Sequence, residues 1–230
     1  MGITIAIDGP SGSGKSTVSR EVARRNKLAY LDTGAMYRAA TWWVQEQGVD
    51  LQDEVAVVET VKLLPLIVPI DPDDQTHICN GEDISAIIRS PELSAVVSIV
   101  SSYFPVRDIL IEMQRNIIQS ELTLDSFSSG RGIVTEGRDI TTVVNPDADV
   151  RVLLIASEEA RLRRRATELS GKADEETLNK TRDIVSGRDR IDSAVTKFMT
   201  ASDGVVTIDS SDMTIEEVVA AVEERMERVQ

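Results

Sequence analysis

Lys15, Ser16 and Thr17 follow three glycines in the stretch "AIDGPSGSGKST", where Gly9, Gly12 and Gly14 lie within six residues. Glycine loses more backbone freedom on ordering than any other residue, so this run is expensive to fix and implies a need for bare backbone. A lysine ammonium and two hydroxyls beside exposed amides suit a polyanion. Gly9, Gly14, Lys15 and Ser16 fit G-x-x-x-x-G-K-[ST], the loop whose amides cradle nucleotide phosphates. The candidate phosphate contacts are therefore Gly9, Pro10, Ser11, Gly12, Ser13, Gly14, Lys15, Ser16 and Thr17. The pattern by itself leaves the phosphate chemistry open.

Three further clusters pair arginine with acid. "LDTGAMYRAA" carries a hydroxyl, a phenol and Arg38; "EGRD" holds Glu136, Arg138 and Asp139; "GRDRIDS" adds Arg188, Arg190 and Asp192. Four more arginines crowd together at Arg161, Arg163, Arg164 and Arg165. A guanine-reading Asn-Lys-x-Asp is absent, since "NKTR" at 179–182 ends in arginine, and so is the LSGGQ of transport ATPases. What remains is a kinase acting on a small anionic substrate, where arginines bring a second anion to the terminal phosphate.

The elements that must hold these groups follow from periodicity. Strands are expected at 3–8, 28–31, 133–136, 150–156 and 205–208, with helical patterns between most of them. That alternation implies βαβ units and a five-stranded doubly wound parallel sheet, with ligands at the carboxyl ends of its strands. A helix beginning at the glycine loop aims free amides and a positive dipole end at an anion. The last helix is marked by a capping box, Thr214 and Glu217. Residues 63–128 break the alternation: three prolines in "LLPLIVPIDPDDQTHICNGEDIS", an Asn80-Gly81 hairpin signal and two helical stretches predict a small antiparallel sheet plus helices inserted into the core.

Composition narrows the partners. The chain has 230 residues and a formal net charge of −14, which repels a polyanion such as nucleic acid. One cysteine, Cys79, cannot form an internal disulfide, is read as a small core residue and suits a reducing cytosol. The single histidine, His77, sits in an alternating run and is expected on a strand surface. No basic segment precedes the first apolar run, Asp8 interrupts it, and no stretch approaches a membrane span.

Together "GPSGSGKST", "LDTGAMYR", "NGEDISAIIR", "FPVRD" and "VTEGRDITTVVNPDADV" resemble the bacterial cytidylate kinases over most of the chain. The resemblance implies a P-loop nucleoside monophosphate kinase fold: a core of residues 1–62 and 129–230, a short arginine-rich lid around 161–175, and a monophosphate-binding insert at 63–128. It implies transfer of the γ-phosphoryl of ATP to CMP or dCMP with Mg²⁺, in a cytoplasmic monomer; a kinase for another monophosphate such as UMP is the alternative. In that family's pattern Lys15 bridges the β- and γ-phosphates, Ser16 ligates Mg²⁺, and Arg161, Arg164 and Arg188 meet the transferring group. Arg38 and Arg138 would grip the acceptor phosphate, Ser98, Arg107 and Asp139 would read the cytosine, Arg188 and Asp192 would hold phosphate and sugar, and Thr33 and Tyr37 would line the pocket. The chain departs from the pattern at Thr141, where glycine is usual, and at Val195, where an arginine is usual; the Pro-Leu that follows is also missing. Either the remaining arginines suffice, or Lys197 takes the missing role.

Overall fold

The computed structural model describes residues 2–170 and 200–229. Five parallel strands form the central sheet: β1 (Ile3–Asp8), β2 (Ala29–Asp32), β6 (Gly132–Gly137), β7 (Val150–Ile155) and β8 (Val206–Asp209). Their spatial order is β2-β6-β1-β7-β8, and every pairing is parallel. β1 and β6 are buried throughout, as strands covered on both faces are, with their charged residues, Asp8 and Glu136, at or next to the carboxyl ends. The register sets Asp8 opposite Gly137 and Asp32 opposite Glu136, so three acidic residues converge where these strands end.

Helices cover both faces. On one, Val18, Val22 and Ala23 of α1 (Lys15–Asn26) and Val218, Val219, Val222 and Met226 of α7 (Ile215–Glu227) pack on Ile5, Ile7, Val152 and Leu154. On the other, Met36 of α2 (Thr33–Glu46) and Ile111 and Ile118 of α5 (Phe104–Ser120) pack on Ala6, Leu31 and Ile133. The capping box at Thr214 and Glu217 is formed, each side chain bonding the other's amide.

Between α2 and β6 the chain builds α3 (Glu54–Lys62), a three-stranded antiparallel sheet of β3 (Leu66–Ile67), β4 (Ile78–Cys79) and β5 (Glu82–Asp83), then α4 (Pro91–Ser102) and α5. Asn80 and Gly81 join β4 to β5 with φ of 51° and 82°, the two left-handed residues a tight hairpin turn demands. Val57 and Val61 of α3 pack with Val100, Val106 and Leu110. The region is tied to the core by Tyr30 N–H donating to the Ile70 carbonyl at 2.9 Å and by Arg20, whose guanidinium donates twice to the Pro72 carbonyl at 3.1 and 3.0 Å.

Cys79 is fully buried, and burial pushes its thiol up to about 11. His77 corrects the surface expectation: it is 1% exposed, its amide donates to Ser85 Oγ at 2.9 Å, and Nδ1 lies 3.0 Å from the Gln75 carbonyl. Alternation told which residues share a face, not which face is covered. Strands β2 and β8 begin and end one residue later than expected. At β2, Lys27 caps α1 in the left-handed region and the Leu28 amide bonds back to the Ala23 carbonyl, which holds Leu28 in the helix terminus.

Candidate active site

The loop from Gly9 to Gly14 joins β1 to α1 at the carboxyl edge of the sheet. A Cβ on Gly9 would stand 2.2 Å from the Leu154 carbonyl oxygen, so no other residue fits there. Gly14 takes φ +92° as the residue that opens α1. The first turn of that helix carries no acidic side chain, which leaves its amides and its positive end to an anion. Lys15 folds over the loop, its Nζ donating to the Pro10 carbonyl at 3.3 Å and lying 4.0 Å from Glu136 Oε2.

A cavity of about 220 Å³ runs from this loop toward the insert. Its lining includes Ser11, Gly12, Lys15, Ser16, Thr33, Tyr37, Arg38, Ser98, Arg107, Arg138 and Asp139, so residues from both sequence motifs and both parts of the chain meet there. A second cavity of about 440 Å³ lies on the other side of the loop, between Gly12–Val18 and Arg164, Ser210, Met213, Thr214, Ile215 and Val218. Thr17, Ser13 and Gly14 face that second space. Gly9, Pro10 and Arg161 line neither; they build the loop or brace it.

Two arginine–acid pairs, Arg38–Asp32 and Arg107–Asp139, line the first cavity. Arg38 Nη2 donates to Asp32 Oδ2 at 3.1 Å, while Asp32 Oδ1 caps α2 by accepting from Ala35 N–H at 2.8 Å. Burial would raise the Asp32 carboxyl, but the Arg38 charge and the Ala35 amide outweigh it and hold the group below its ordinary range. Arg38 Nε is buried with no partner among the described residues, a donor left for an anion. Arg107 donates to Asp139, and also to the Ser101 carbonyl at 3.3 Å, with its guanidinium 5.8 Å above the centre of the Tyr37 ring. The Tyr37 hydroxyl is held well above its usual titration range, mainly by burial. Ser98 is 6% exposed and faces the cavity from α4.

Beneath the loop, Glu136 accepts from Tyr30 Oη at 2.6 Å, and the Ser16 hydroxyl also bonds to it. Burial, then the neighbouring Asp32 charge, raises the Glu136 carboxyl, and Lys15 opposes that rise. Thr33 is buried and spends its hydroxyl on the Glu136 carbonyl at 2.8 Å, so it shapes the cavity wall through the backbone.

α6 (Glu158–Ser170) carries the arginine cluster. Arg161 donates to the Ser11 carbonyl at 3.1 Å; Arg164 donates to the Ser13 carbonyl at 3.3 Å and to Ser210 through Oγ at 3.0 Å and the carbonyl at 2.6 Å. Both arginines thus reach the carbonyl side of the phosphate loop. Arg163 points outward and pairs with Glu159. Arg188, Arg190, Asp192, Val195 and Lys197 lie outside the described residues.

Several lining residues have no role assigned from the sequence: Asp32 and Glu136, which lie within the quoted motifs, and Arg20, Arg89, and Ser94, Ser101 and Ser102 of α4, which lie outside any role the motifs suggest. The serines could have been found, because 94, 98, 101 and 102 share one helical face. Ser94 is 5% exposed and its Oγ has no partner among the described residues.

Fold and site define a P-loop kinase whose first cavity, beside the loop, is lined by several arginines. The sequence comparisons specify it further. Residues 5–228 match the cytidylate kinase family model. Cytidylate kinase of Streptomyces avermitilis is 42% identical over 221 residues, 96% of this chain and 90% of its own length. That of Caldanaerobacter subterraneus is 40% identical over 98% of this chain and 95% of its own. That of Cutibacterium acnes is 43% identical over 96% and 94% respectively. The chain belongs to the cytidylate kinase family.

Proposed function

We propose that the protein transfers the γ-phosphoryl group of ATP to CMP or dCMP, giving ADP and the diphosphate. The observation that carries this reading is the continuity of one cavity from Lys15 and Ser16 to the Arg107–Asp139 pair. A donor phosphate at the loop and an acceptor base at that pair would bring two phosphates together between Lys15, Arg38 and Arg138.

The nucleophile is an acceptor phosphate oxygen. The second ionisation of a phosphate monoester lies at about pH 6, so that oxygen is mostly ionised at neutral pH and needs no general base. Catalysis then rests on positioning two anions and neutralising their repulsion away from water. Lys15 leaves the Pro10 carbonyl for the bridging phosphates, and Arg38 turns its spare Nε to the acceptor phosphate. Arg161 and Arg164, on leaving the Ser11 and Ser13 carbonyls, would complete the charge around the transferring group with Arg188 from outside the described residues.

Asp139 accepts from the exocyclic amine of cytosine, and Arg107 donates to the O2/N3 edge, with Ser98 beside them. Uracil presents a carbonyl where cytosine presents the amine, so an ionised Asp139 faces it with two acceptors and no proton. The Arg107 charge beside Asp139 favours that ionised form. The second cavity, on the outer side of the loop, suits the remainder of ATP.

Ser16 and Glu136 meet below the loop and offer only oxygen ligands, a donor set that fits Mg²⁺. Ser16 would ligate the ion directly and Glu136 through its waters; bound there, Mg²⁺ neutralises phosphate charge. The acidic surface supports free nucleotides rather than nucleic acid as partners, and we read the chain as a cytoplasmic monomer. The test is ADP release with CMP, dCMP, UMP, AMP and dTMP as acceptors. Turnover dominated by CMP and dCMP is expected; equal or faster turnover with UMP or AMP would replace the reading.

A further inference from the structure

The segment proposed to read the acceptor base is held by a buried group that lines neither cavity. Asp8, the last residue of β1, is 2% exposed. Its Oδ1 accepts from the Ile140 amide at 2.9 Å, and its Oδ2 accepts from the Thr141 amide at 2.8 Å and the Thr141 hydroxyl at 2.6 Å. One residue further along β1's exit, the Gly9 amide donates to the Gly137 carbonyl at 3.3 Å. The segment 137–141, which carries Arg138 and Asp139, is therefore pinned at both ends to the strand that leads into the phosphate loop.

Nothing in the backbone pattern alone would keep that segment rigid. It leaves β6 at Gly137 and enters a single wide turn, Ile140–Val144, whose bonds run from Val143 and Val144 back to the Asp139 carbonyl. The Asp139 residue itself sits at φ −146°, ψ 22°, outside the regular helical and strand regions. Arg107 holds its side chain, while its backbone orientation depends on what fixes the two residues after it. Thr141 is 4% exposed, and its hydroxyl is the donor that a glycine at this position would lack.

We infer that Asp8 and Thr141 form a tether that positions Asp139 and Arg138 against the acceptor nucleotide, making Thr141 a positioning residue for acceptor recognition. This rests on the reading of Asp139 as the contact to the cytosine amine. The tether also gives the two halves of the reaction a common anchor, because the carboxylate that fixes the base-reading loop is one residue from the loop that holds ATP.

The test compares Thr141→Val, which keeps shape and removes the hydroxyl, with Thr141→Ser, which restores the donor, and with Asp139→Asn. Losing a hydrogen bond to a charged acceptor is expected to raise KM for CMP by roughly tenfold in Thr141→Val and lower the CMP:UMP ratio of kcat/KM in the same direction, with KM for ATP unchanged. Thr141→Ser should return both to the wild-type values. A Thr141→Val variant with a lowered melting temperature but wild-type KM for CMP and wild-type selectivity would overturn the tether while Asp139→Asn still shifts the ratio. An Asp139→Asn variant with unaltered selectivity would overturn the reading of the base, and the tether with it.

Discussion

On the proposed reading, the two sides of the catalytic cleft are built on opposite plans. The donor side is one contiguous run, residues 9–17, in which backbone amides and missing side chains form the site and Gly9 is fixed by a neighbouring carbonyl. The acceptor side is assembled from side chains on four separate elements: Arg38 on α2, Ser98 on α4, Arg107 on α5, and Arg138 and Asp139 after β6. Backbone recognition reads charge and shape and tolerates any nucleoside attached to them. Side-chain recognition of a base edge depends on donors and acceptors that a single substitution can invert. On the proposed reading, the donor side supplies phosphate binding and the acceptor side supplies selectivity.

Breaking the donor side should cost rate. Lys15→Met removes the charge that bridges the phosphates and is expected to lower kcat at least ~100-fold, taking one lost electrostatic donor as about 3 kcal/mol. KM for CMP should change little. A variant keeping more than about a tenth of wild-type turnover would remove Lys15 from the chemistry.

At the seam between the two sides, burial raises Asp8 from 3.8 to about 6, with the Thr141 hydroxyl and the Thr141 and Ile140 amides pulling it down and the Asp139 charge adding to the rise. A folded value above the unfolded one means the native state binds the extra proton. Stability from this group is greatest below about pH 4, falls as pH rises, and levels off above about 6. Asp8→Asn cannot titrate, so its stability relative to wild type should improve between those limits, by up to about 3 kcal/mol at about 1.4 kcal/mol per unit. Parallel melting-temperature profiles for the two proteins over pH 4 to 7 would contradict this.

On the acceptor side, Arg38→Ala should raise KM for CMP by roughly thirtyfold, in line with losing a hydrogen bond between charged groups, and leave KM for ATP alone. Equal changes in both constants would mean Arg38 serves the whole cleft and would blur the contrast. Initial-rate kinetics with each substrate varied in turn measure it.

The same contrast governs what could be read before the coordinates. The phosphate loop, the Asn80-Gly81 turn and the Thr214–Glu217 box are local: each is a few adjacent residues whose conformational demands show in their types. The order of five strands followed from apolar runs separated by helical ones, but β2 slipped by one residue because the end of α1 claims Leu28. That Ser98, Arg107 and Asp139 share a cavity was expected only by resemblance, since nothing in their spacing requires them to meet. Asp32 and Glu136 had no assigned part, because their pairing across β2 and β6 is a matter of register. Thr141 reads in the sequence only as a departure from the family pattern; its hydroxyl on Asp8 is visible only once β1 and the segment after β6 lie side by side.

The most direct test of the division between the two sides is selectivity in Asp139→Asn. The ratio of kcat/KM for CMP to that for UMP, measured by ADP release in wild type and variant, isolates base recognition from phosphate binding. The account predicts a ratio lowered by about tenfold or more, because an amide donates to the uracil carbonyl that a carboxylate repels, and one polar contact carries roughly 1–3 kcal/mol. An unchanged ratio in a variant of wild-type melting temperature would show that the base is read elsewhere and would contradict it.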